Sequence, residues 1–102
     1  MPNPRIFPIP LVTDAGINVN AASTLVLAAN TNRGDTDFTN LSDPSEAIFL
    51  ARGNAAVMNA GIPLTARGST YHIGTDNMFN GAIYAICASG DAILAISEGT
   101  AK

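Results

Sequence analysis

His72 and Cys87 each occur once in this chain of 102 residues. They are the side chains best suited to proton transfer, nucleophilic attack or metal binding. A nucleophilic serine or cysteine needs a histidine within hydrogen-bonding reach, and a zinc centre needs about four ligands. His72 lies in Ser69-Thr70-Tyr71-His72-Ile73, which alternates as a strand does. That alternation puts Thr70 and Gly74 on the histidine's face, with no acidic residue at strand spacing. His72 therefore reads as a solvent-facing or interface residue. Cys87 ends the apolar run Gly81-Ala82-Ile83-Tyr84-Ala85-Ile86-Cys87-Ala88. A reactive thiol needs an electropositive, partly open setting, so this one reads as core packing.

The carboxylates are no more suggestive. Asp35, Asp37, Asp43, Asp76 and Asp91 fall in or beside expected turns, where Asp side chains cap the backbone. Asp35 and Asp37 would share one strand face, but the Asp-x-Asp-x-Asp-Gly spacing of a calcium loop is absent. Glu46 and Glu98 have no partner that the sequence can place. Arg33-Gly34-Asp35 spells the tripeptide read by integrins, yet it reads as a strand end followed by a turn. Gly81 opens a strand rather than a helix, so no phosphate loop is formed. These readings lead to the expectation of a non-enzymatic protein with no catalytic residue, no metal and no cofactor.

The elements that would position these residues are strands. Expected strands cover residues 22–29, a weak polar one 36–41, and then 46–52, 69–73, 81–88 and 92–98. Residues 54–61 read as a loop, Ile62-Pro63-Leu64 as a short edge element, and residues 42–45 and 66–68 as turns. Ser89-Gly90-Asp91 reads as a hairpin-type turn. The segments 46–52 and 81–88 are apolar on both faces, and the latter reads as the central strand. Residues 1–10 hold four of the six prolines and read as an extended arm. The fold class is thus all-β, an antiparallel β-sandwich or jelly-roll-like barrel of about six to eight short strands. Its expected organisation is an N-terminal arm over residues 1–11 and a single β-sandwich domain over 12–102.

Composition narrows the function classes. Apolar residues make up 47% of the chain and charged ones 13%, about half the usual charged share of ~25%. That balance argues against disorder, and the net charge of −3 argues against nucleic acid as the partner. No apolar run approaches the ~18–20 residues of a membrane span, and the proline-interrupted start does not read as a signal peptide. Synthesis in a cytoplasm is expected, as is a surface reserved for neighbouring proteins, since a small monomer usually carries more charge.

A set of short motifs appears in order along the chain. These are Leu25-Val26-Leu27-Ala28-Ala29-Asn30-Thr31-Asn32-Arg33, Thr39-Asn40-Leu41-Ser42-Asp43 and Ile48-Phe49-Leu50. After them come Asn59-Ala60-Gly61-Ile62-Pro63-Leu64, Arg67-Gly68-Ser69-Thr70-Tyr71 and Gly81-Ala82-Ile83-Tyr84-Ala85-Ile86. This ordered set resembles small β-sandwich proteins of tailed bacteriophages, over about Ala22 to Glu98. The polar Gly34-Asp35-Thr36-Asp37 departs from the apolar strand usual there. The resemblance implies a structural virion protein that binds and stabilises the assembled capsid, a decoration or cement protein on the capsid surface. Its implied partners are the major capsid protein and copies of itself as a homotrimer. The alternative is a fibre, tail or neck module that binds a host glycan or protein. Arg5 and the apolar Ile6, Phe7, Ile9 and Leu11, in or next to the expected extended arm, are the candidate capsid or subunit contacts.

Overall fold

A computed structural model describes residues 11–42, 46–88 and 92–100, with side chains from Val12 onward. Eight strands follow one another: β1 (Leu11–Val19), β2 (Thr24–Leu27), β3 (Arg33–Asn40), β4 (Ile48–Arg52), β5 (Ile62–Leu64), β6 (Thr70–Ile73), β7 (Ile83–Cys87) and β8 (Ala92–Thr100). No described residue is helical. The strands form where period-two alternation lets one set of side chains face a common interior. In β4, Ile48 and Leu50 are fully buried, as are Ile83, Ala85 and Cys87 in β7. Phe38 of β3, Ile73 of β6 and Leu94 of β8 close on them from the other layer.

All ladders are antiparallel, in two sheets of four ordered β1-β8-β3-β6 and β2-β7-β4-β5. The pairs β1–β8, β2–β7, β3–β6 and β4–β5 describe one long hairpin with its tip between β4 and β5. Folding that hairpin across itself sends alternate pairs to opposite sheets. This is the jelly-roll arrangement, which stacks two antiparallel sheets around a shared core.

Several expectations need correcting. β1 was not foreseen, because Val12 to Gly16 are all exposed and carry no alternating signal; pairing with β8 holds them extended. β3 starts at Arg33, where the sequence reading put a strand end and began the weak strand only at residue 36. Asp35 and Asp37 accordingly lie within a strand, with Gly34 as the extra residue of a bulge between Arg33 and Asp35. The expected weak strand is in fact deeply packed, with Thr36, Phe38 and Asn40 fully buried. Residues 89–91 lie outside the described ones. The strands either side of them, β7 and β8, belong to different sheets, so that connection is not a hairpin. Residues 43–45 of the expected turn are likewise outside the description.

Two polar clusters tie the layers. Asn40 donates from Nδ2 to the carbonyls of Glu46 and Leu64, and its Oδ1 accepts from Ser42 N and Oγ. Arg33 does the same at the opposite end. No buried side-chain nitrogen or oxygen among the described residues lacks a partner, as a stable low-dielectric interior requires. Gly61, at φ 88°, is required by close approach. A Cβ there would collide with the carbonyl oxygen of Leu50.

Candidate functional site

The outward faces of the two sheets differ. On the second sheet, the register brings Leu25, Tyr84 and Ala51 into one row, and Ile86, Phe49 and Pro63 into the next. The loop between β4 and β5 crosses this face. Its Ala56 donates its N–H to Ser23 Oγ at 2.8 Å, on the far side of β7, and is buried outside the main core. The loop explains how β4 and β7 can be apolar on both sides. Only the rim of this face stays open, with Leu25 and Val57 exposed.

The first sheet has no such cover among the described residues. Its outward face is a grid fixed by register. One row runs Asp14–Ser97–Asp37–His72 across β1, β8, β3 and β6, and the next runs Gly16–Ala95–Thr39–Thr70. Val12 lies beside Gly99 at one end, and Leu41 donates its amide to the carbonyl of Ile93 at the other. Val12, Leu41 and Ile93 are exposed by 58, 42 and 37%. Their small neighbours leave a shallow depression bounded by Asp14, Asp37, Ala95 and Leu41. A nearly flat face with little side-chain relief and apolar ends matches a flat protein partner better than a small molecule.

His72 faces solvent, as the alternation implies. It gains a partner invisible in its own strand: its Nδ1 lies 2.6 Å from Asp37 Oδ1 on β3. Both side chains are more than half exposed, so the pair contributes little to stability. Ser97 completes the three residue types of a hydrolytic triad, but in the wrong order. Asp37 stands between Ser97 and His72, so the serine has no adjacent base to take its proton. Among the described residues, no three His, Cys, Asp or Glu side chains gather closely enough to hold a metal ion. Cys87 is buried, with Sγ 3.2 Å from the carbonyl oxygen of Val19.

Arg33 is sterically unavailable to an integrin-type receptor. Its side chain is fully buried. Nε donates to Glu98 Oε2 at 2.7 Å, Nη1 to the carbonyls of Phe79 and Gly81, and Nη2 to the carbonyl of Ala28. Glu98, which had no partner in the sequence reading, is thus the counter-ion. Asn30 reinforces it, donating from Nδ2 to Glu98 and to Thr100 Oγ1. The cluster clasps β3 and β8 of one sheet to the chain entering β7 and leaving β2 in the other.

Of the candidate contact residues, Arg5, Ile6, Phe7 and Ile9 lie outside the described residues. Leu11 opens β1, with its backbone opposite Thr100. The outward grid itself was missed. Its signal is faint, because the rows of the grid are assembled only through the β1-β8-β3-β6 order. No family model, curated protein or solved structure matches the chain.

Proposed function

We propose that the chain is a non-enzymatic structural protein of a tailed-phage particle, a decoration or cement protein that docks on the assembled capsid. The observation that carries this reading is the outward face of the first sheet, which no other described element covers and which is flat, small-featured and apolar at both ends. Together with the ordered motifs from Ala22 to Glu98, it supports an interaction role over a catalytic one. A ligand that binds only the assembled shell stabilises it by mass action. Many copies at fixed separations make modest contacts act together. In this reading Gly16, Ala95, Leu41 and Ile93 meet the major capsid protein, while segment 1–11, with Arg5, Ile6, Phe7, Ile9 and Leu11, adds contacts to shell or neighbouring subunit.

The test is co-sedimentation of the purified chain with capsid shells of the phage that encodes it. Saturable binding and a raised shell melting temperature are expected. Ala95→Arg should remove both while leaving the chain folded, because the new side chain points outward from the sheet. Absence of binding by the folded wild-type chain would contradict the proposal.

A second reading, a fibre module that binds host glycan, draws on the polar row Asp14–Ser97–Asp37–His72. No Phe or Tyr ring stands on that face among the described residues to stack on a sugar, which favours the first reading.

A further inference from the structure

We propose that the outward face of the first sheet takes up a Lys or Arg side chain from the capsid surface. Its charged end sits between Asp14 and Asp37, and its stem lies along β8. This deepens the capsid reading, on which it rests, by naming the chemistry of the contact. Asp14 of β1, Ser97 of β8 and Asp37 of β3 are register partners, so their side chains share one face. Two strand spacings put ~10 Å between the backbones of Asp14 and Asp37. Only the short Ser97 side chain lies between them. An ammonium or guanidinium above Ser97 is midway, within reach of both carboxylates.

One repeat along the strands, the same face turns apolar. Gly16, Ala95 and Thr39 form the next row, and Ile93 with Leu41 the one after. Alternate residues are ~7 Å apart along a strand, an interval that an extended Lys or Arg stem spans. A continuous depression runs from the carboxylates over Ala95 to Leu41, lined by described residues throughout. A Cβ at Gly16 would meet no described atom within 4 Å beyond its chain neighbours.

Charge and floor together commit the slot to one occupant. Asp14 makes no hydrogen bond or ion pair among the described residues. Asp37 gives Oδ1 to His72 Nδ1 at 2.6 Å and keeps Oδ2. His72 stands on the far side of Asp37 from Ser97, so it steadies that carboxylate without entering the slot. A docked apolar side chain leaves Asp14 desolvated without a partner, which is costly, and an acidic one is repelled. Calcium takes about six to eight oxygen ligands, and no three His, Cys, Asp or Glu gather here among the described residues. A Lys or Arg side chain satisfies both ends, because it buries its stem on apolar surface and keeps its charge among polar groups. Charge pairing of this kind also fixes the orientation in which the partner docks.

Binding of the full chain to shells of the phage that encodes it, measured over a range of NaCl concentrations, provides the test. Asp14→Asn and Asp37→Asn should each weaken binding about tenfold at low salt and flatten its salt dependence. Asp14→Glu keeps the charge and should recover most of the loss. Asp76→Asn removes an equal charge from the turn that follows β6, outside the grid, and should bind like the parent chain. That control separates a fitted cation from general attraction. Asp14, Asp37 and Asp76 are all exposed, so the variants fold, which their melting temperatures check. If the parent chain binds and both Asn variants of the slot bind as tightly, or lose no more than Asp76→Asn, the inference is overturned and the capsid reading stands. A parent chain that does not bind shells contradicts both.

Discussion

With its side chain fully buried, Arg33 spans both sheets through Glu98 and the carbonyls of Ala28, Phe79 and Gly81. Arg33→Ala removes every one of these donors and leaves Glu98 with an uncompensated charge in a largely dry setting. The expected loss is about 3–5 kcal/mol of stability, measurable by urea unfolding. His72→Ala makes the opposite case. The histidine pairs with Asp37 at a short distance, but both are exposed, and the change should cost less than about 1 kcal/mol. No local pattern ranks these two. His72 drew attention by chemical type, while Arg33 looked like a strand terminus beside a turn. What separates them is burial, which depends on where the loop before β7 lands, and no local pattern encodes that.

Elements whose alternation faces a core were readable in advance. β4, β6, β7 and β8 were found because their inward residues are large and aliphatic, and β5 because Pro63 suits an edge. β1 carries no strand signal of its own, since Asp14, Ala15 and Gly16 are poor strand formers and are held by pairing with β8. β3 was underrated because its inward residues include Thr36 and Asn40, whose burial depends on hydrogen bonds made by other elements. The contrast predicts how the strands respond to truncation. Leu50→Ala, at a fully buried position, should cost about 2–5 kcal/mol. Leu25→Ala, at a side chain 52% exposed, should fall within about 0.5 kcal/mol. Gly61→Ala should destabilise by more than about 1 kcal/mol, because both its positive φ and the approach of Leu50 exclude a side chain. Thermal unfolding of the three variants checks all of this at once.

At the scale of the whole molecule, the low charge count acquires a location. The second sheet is covered by its own β4–β5 loop, while the first presents its small and apolar grid outward. Charges do occur on strands, but Arg33 and Glu98 are spent on the internal clasp. Asp14, Asp37 and His72 share a single row of the grid. The jelly roll itself was legible as a class from strand number and spacing. The outward grid was not, because it is a product of strand order, which connects residues more than fifty positions apart. The proposed capsid role requires that this face meet an ordered protein shell. A density map of the purified phage particle tests it most directly. Copies of the jelly roll repeated over the shell's symmetry axes are expected, with Gly16, Ala95, Leu41 and Ile93 against the capsid. Copies confined to the tail or a single vertex, or a first-sheet face turned to solvent, would contradict it.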